Sequence, residues 1–111
     1  MIKIVVVEDD KKAQLEIKNI LRQLDIFKEE EIKIEYFTKC TNALKEIIED
    51  TADRKIYILD IELETKISGI DIAKFVREID WESEIIFITN HDKMFETTYR
   101  NVYNVMDFIE K

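Results

Sequence analysis

Two hydrophobic periods alternate along this chain, and few folds accept that alternation. Short runs rich in β-branched residues, Ile2–Val7, Ile32–Phe37, Ile56–Ile61, Ile85–Thr89 and Val105–Ile109, read as strands. Between them the apolar spacing changes to that of a helix. Ala13, Ile17, Ile20, Leu21 and Leu24 form one stripe. Leu44, Ile47 and Ile48 form a second behind Thr41 as N-cap, and Ile72, Phe75, Val76 and Ile79 a third. Phe95, Tyr99 and Val102 mark a fourth. The order β-α-β-α-β-α-β-α-β predicts an α/β fold built on a doubly wound, five-stranded parallel sheet.

The first, third and fourth runs are nearly continuous in hydrophobicity, as strands covered on both faces should be. The second alternates Ile32, Ile34 and Tyr36 with polar residues, which places it at an edge. A sheet of this kind needs helices on both faces, and a fifth helix is expected after the fifth strand. With the sequence stopping there, the last helix is read as missing and one face as leaving an apolar patch.

Composition narrows the chemistry. With 111 residues the chain makes one domain, residues 1–111. Hydrophobic residues make up 46% of it, enough for a core, yet no apolar run approaches the roughly 18 residues that span a bilayer. No signal peptide or lipidation motif opens the chain. Cys40 stands alone, so no internal disulfide forms, which fits a reducing cytosol. The net charge of −8 disfavours unaided binding to nucleic acid. Gly69 is the only glycine, so a glycine-rich phosphate cradle is excluded. Phosphate chemistry here would need side chains and a metal.

In open parallel sheets, ligands bind beyond the carboxyl ends of the strands, where the strand order reverses. Glu8, Asp9 and Asp10 follow the first strand. Asp60 lies inside the apolar stretch Tyr57-Ile58-Leu59-Asp60-Ile61. Thr89 ends the fourth strand and Lys111 follows the fifth. In the flavodoxin-like order 2-1-3-4-5, strands one and three are neighbours, which brings Asp9 and Asp60 together. Such a carboxylate pair repels itself unless a cation intervenes, and Mg²⁺ suits it. An ionised Asp60 needs no general base to act as a nucleophile. Mg²⁺, the Lys111 ammonium and the Thr89 hydroxyl would together neutralise and orient a phosphoryl group.

Each residue also has a plainer reading. An unpaired Asp in an apolar strand costs several kcal/mol, so Asp60 favours function. The acidic run Glu8-Asp9-Asp10 could cap the following helix, and Asp10 is placed to do so. Thr89 could serve only as a β-former and Lys111 as solvated surface. His91 reads as an exposed loop side chain, and Cys40 as a core-edge or surface thiol.

The stretches Val6-Val7-Glu8-Asp9-Asp10, Leu59-Asp60-Ile61-Glu62-Leu63, Phe87-Ile88-Thr89 and Asp107-Phe108-Ile109-Glu110-Lys111 together resemble the receiver domain of response regulators. The resemblance covers essentially the whole chain. Within that family, Leu59–Leu63 followed by Ile67-Ser68-Gly69-Ile70, the stretch Ile85–His91, and Met106-Asp107-Phe108-Ile109 are similar to the accessory gene regulator type. Regulators of that type carry a LytTR DNA-binding domain after the receiver and act in peptide quorum sensing.

The resemblance implies that Asp60 accepts a phosphoryl group from a sensor histidine kinase. It implies Mg²⁺ held by Asp9, Asp60 and the backbone carbonyl of Glu62, with Glu8 acting through water. Thr89 and Lys111 would bind phosphate. Thr89 and Phe108 would form the switch pair that favours a homodimer on phosphorylation. DNA would be contacted only through the domain downstream, with no membrane insertion, in the cytoplasm. Two departures stand out: the loop at 64–68 is longer by one residue and lacks the family's proline, and Asn90 replaces a smaller residue beside Asp60. Two other readings compete. One is a Mg²⁺-dependent phosphatase with an aspartyl nucleophile and Glu62 as general acid. The other is a pseudo-receiver that works without phosphorylation.

Overall fold

The computed structural model describes residues 2–24, 31–50, 54–63 and 66–89, together with the backbone of 107–110. Five strands make one parallel sheet: β1 (Ile2–Val7), β2 (Ile32–Phe37), β3 (Arg54–Asp60), β4 (Glu84–Thr89) and β5 (Asp107–Glu110). Their order is β2-β1-β3-β4-β5, as expected. The connecting helices are α1 (Lys11–Arg22), α2 (Asn42–Glu49) and α3 (Gly69–Ile79). The fourth helical stripe, Phe95 to Val102, lies outside the described residues.

Successive side chains of a strand point to opposite faces, so the sheet builds two cores. Val5 and Val7 of β1, Tyr57 and Leu59 of β3, and Ile85 and Phe87 of β4 pack under α2 and α3. Leu44, Ile48, Ile72, Ala73 and Val76 cover them, with Cys40 against the margin. Ile4, Val6, Ile58 and Ile88 face the other way, under Leu21 of α1. Helices on both faces satisfy the requirement of a parallel sheet. Ile56 and Ile86 on the α1 side stay only partly buried.

Each helix begins on a side-chain cap. Asp10 accepts from Lys12 N at 3.0 Å, and Thr41 accepts from Leu44 N at 3.2 Å. Ser68 and Asp71 exchange bonds in a capping box at the start of α3, which therefore begins at Gly69, before its first apolar position.

One expectation needs correction. The α1 stripe was drawn through Ile20 and Leu24, yet these are 61% and 45% exposed. Leu21 and Ile17 are the residues that pack, and Gln14 lies on their side. Residues one apart on a helix differ by about 100°, so a spacing pattern fixes the stripe's period but not its phase. Here the helix is rolled toward Gln14, and Leu15 is left outside at 56% exposure.

The amino edge of the sheet carries buried basic groups. Lys55 at the start of β3 is fully buried, and its ammonium donates to the Asp50 carbonyl. The Arg77 guanidinium donates to the Asp80 carbonyl at 3.0 Å and the Ser83 hydroxyl at 3.2 Å. Burial lowers the Arg77 pKa, opposed by Asp80 and then Glu84.

Candidate metal and phosphoacceptor site

The register of the central strands sets the geometry of the opposite, carboxyl edge. Val7 lies beside Leu59, so the residues that follow them, Glu8 and Asp60, emerge side by side. Glu8 N continues the ladder outward by donating to the Phe37 carbonyl at 2.9 Å. The chain then turns: Asp10 N donates to Glu8 Oε1 at 3.2 Å, and α1 starts. Glu8 is fully buried, Asp9 is half-buried and Asp60 is 3% exposed. Their carboxylate oxygens lie within 4.8 Å of one another.

Asp60 is the last residue of β3, a position the sequence placed within the strand run Ile56–Ile61. Its Oδ1 accepts from Glu62 N at 3.2 Å, which orients the carboxylate across the turn. Ile61 N donates to the Ile88 carbonyl at 3.1 Å and ties that turn to β4. The next contact comes from α3. Gly69 N donates to the Ile61 carbonyl at 3.0 Å, and a Cβ on Gly69 would stand 1.9 Å from the Asp60 carbonyl oxygen. Only a residue without a side chain brings the start of α3 so close to the Asp60 backbone.

The magnitudes favour a cation here. Two carboxylates 4.8 Å apart repel by roughly 3 kcal/mol at an effective dielectric of about 20. A hard divalent ion turns that repulsion into attraction, and oxygen-only donors from one or two carboxylates are the set that Mg²⁺ takes. The three residues present fit such an ion. Glu62 contributes its backbone at the site while its side chain is exposed.

Of the residues singled out from the sequence, the structure brings Glu8, Asp9 and Asp60 together and sets Glu62 beside them. Asp10 caps α1, as the plainer reading had it. Thr89 closes β4 next to Glu110 of β5, and Phe108 pairs with Phe87. The side chains of Thr89 and Phe108, as well as Asn90, His91 and Lys111, lie outside the described residues. Gln14 and Gly69 had carried no functional assignment. Gly69 had been singled out as the only glycine, and its place shortly after Asp60 was the signal for a close backbone approach there. Gln14 gives no sequence signal, because its partners are backbone carbonyls.

The sequence matches the response regulator receiver domain over residues 4–111. The chain belongs to that family. This receiver domain is 30% identical over 109 residues to the accessory gene regulator protein A of Staphylococcus epidermidis, and 31% identical to that of Staphylococcus aureus. In both cases the match covers 98% of this chain and 46% of the relative, so the receiver spans about half the length of these proteins. The response regulator TrrA of Thermotoga maritima, solved in complex with Mg²⁺-BeF, is similar with a TM-score of 0.73 and 25% identity. That similarity covers all of this chain and 87% of TrrA. The Thermotoga maritima regulator DrrB shares the fold at 23% identity and a TM-score of 0.72, over all of this chain and 46% of DrrB. Receiver domains of two-component response regulators are phosphoacceptors, and this chain has the accessory gene regulator type as relatives.

Proposed function

We propose that Asp60 is the residue phosphorylated, with Mg²⁺ held by Asp9, Asp60 and the Glu62 carbonyl and with Glu8 acting through water. The observation that carries this reading is the closeness of Glu8, Asp9 and Asp60 at the carboxyl edge of neighbouring strands, two of them out of solvent. The similar TrrA structure holds Mg²⁺-BeF, which supports the choice of ion.

An Asp60 carboxylate oxygen attacks the phosphorus of a kinase phosphohistidine. An O–P bond forms as the P–N bond breaks, and the released imidazole nitrogen keeps the electron pair and takes a proton from solvent. The Glu62 N–H holds Oδ1 in a fixed orientation throughout. The ion, when bound, supplies charge neutralisation for the transferring group. Thr89 and Lys111 are the proposed phosphate-binding residues, and Thr89 with Phe108 the proposed switch pair.

On the same reading the receiver is the amino-terminal part of a longer cytoplasmic regulator. A LytTR-type DNA-binding domain follows it, a sensor histidine kinase supplies the phosphoryl group, and homodimerisation transmits the signal in peptide quorum sensing. The support is the relatives' identity and their greater length. Among the described residues no helix is long and apolar enough to cross a membrane.

The test is direct. Acetyl phosphate with Mg²⁺ should add one phosphoryl mass to the chain, and Asp60→Asn should take up none. Repeated turnover with release of phosphate from many substrates would favour the phosphatase reading instead. No uptake by the native chain would favour the pseudo-receiver.

A further inference from the structure

We propose that Gln14 is a positioning residue for the acidic corner, setting the strength with which Mg²⁺ binds; the inference rests on the metal reading above. The Gln14 side-chain nitrogen, Nε2, donates to two backbone carbonyls, that of Glu8 at 3.2 Å and that of Phe37 at 3.4 Å. These carbonyls end adjacent strands, β1 and β2. One primary amide thus spans the gap where the sheet stops and the Glu8–Asp9 turn begins.

The pairing of donors and acceptors is close to complete. A primary amide has two N–H bonds, and both find carbonyl oxygens. The Phe37 carbonyl also accepts from Glu8 N at 2.9 Å, which fills its two lone pairs. Glu8 is therefore held on both sides of its peptide, by its own N–H and through its C=O. Asp9 follows directly, and its half-buried side chain reaches the cluster from that anchored peptide.

The roll of α1 points the same way. Apolar burial alone would turn Ile20 inward, yet it is 61% exposed while Gln14 is turned toward the sheet. The phase of the helix serves the amide's contacts with the strand ends. Because α1 also starts on the Asp10 cap, the segment from Glu8 to Gln14 is closed at both ends by hydrogen bonds, including Gln14 N to the Asp10 carbonyl at 2.9 Å.

Gln14→Met keeps the length and neutrality of the side chain and removes both donors. Gln14→Asn keeps the amide and shortens its reach. Each should weaken Mg²⁺ half-saturation, followed by calorimetry, by about three- to tenfold, toward the low end of what supporting groups around metal ligands contribute. The extent of Asp60 phosphorylation at saturating Mg²⁺ should stay within about twofold of native. A purely structural role would lower the melting point in EDTA and leave the half-saturation in place. That result, from either variant that folds, overturns the proposal. In the native chain, the Gln14 side-chain amide protons should exchange slowly and shift on Mg²⁺ addition; fast exchange without a shift also overturns it. A native chain that binds no Mg²⁺ overturns the underlying metal reading, and this inference with it.

Discussion

Lys55 and Asp60 stand on the same strand, both out of solvent, one near the amino edge of the sheet and the other at its carboxyl edge. Their surroundings differ in kind. The amino edge pairs its buried cations with groups of the same chain: Lys55 with the Asp50 carbonyl, and Arg77 with the Asp80 carbonyl and the Ser83 hydroxyl beside the opposite charges of Asp80 and Glu84. The carboxyl edge gathers groups of like charge, three carboxylates within 4.8 Å. The first arrangement sets opposite or neutral groups against its cations, and the second is the one that a cation, such as the proposed Mg²⁺, would relieve. A structural edge and a functional edge are thus distinguished by what their buried charges face.

Substitutions at the two edges can break or sharpen that contrast. The largest effect is expected for Gly69→Val, whose side chain would collide with the Asp60 carbonyl. Denaturant unfolding should show a loss of about 3 kcal/mol, and the remaining folded protein should bind Mg²⁺ more weakly. Arg77→Ala comes next, with a loss of about 2 kcal/mol as charge-assisted bonds such as those to the Asp80 carbonyl and the Ser83 hydroxyl are removed, and an unchanged Mg²⁺ half-saturation. A large change in that half-saturation would mean that the edges are not independent.

Asp60→Asn should go the other way. In EDTA, relief of like-charge repulsion should raise stability by about 1 kcal/mol, and added Mg²⁺ should then raise the melting point far less than in the native chain. A melting point that falls in EDTA would remove repulsion from the description of the site.

The smallest effect belongs to Tyr57→Phe. The Tyr57 hydroxyl is buried and makes no hydrogen bond among the described residues, so its loss should change stability at neutral pH by less than about 0.5 kcal/mol. The alkaline limb should separate the two proteins. Burial first, then the Asp80 charge, raise the Tyr57 pKa above its ordinary 10.0, with Arg77 opposing. The folded state therefore keeps its proton where the unfolded state loses it. That contribution is fully present below pH 10.0 and is lost as the pH climbs above it. Unfolding followed across this range should show a shallower decline for Tyr57→Phe.

The sequence carried the sheet well, for a physical reason. A strand buried on two faces needs an unbroken apolar run, so β1 begins and ends where its pattern does, and the edge strand β2 does the same on an alternating pattern. Asp60 was legible because a charge in such a run is costly without a purpose. Thr41 was legible because a cap is a local requirement. The phase of α1 was not, since Ala13, Ile17, Ile20, Leu21 and Leu24 are compatible with a range of rolls. The observed roll is one that lets Gln14 reach the carbonyl of Phe37, distant in the chain. Lys55 was missed in the same way. Its partner is a main-chain oxygen at the end of α2, and no residue type announces a carbonyl.

Gly69 has a consequence for how such a chain can vary over time. Every other residue brings a Cβ, and that atom alone meets the Asp60 backbone at 1.9 Å. Drift at this position is closed to single replacements, conservative or not. A lineage that altered it would first have to rebuild the whole segment from Asp60 to the helix start, whereas Lys66, exposed in the preceding loop, meets no such barrier.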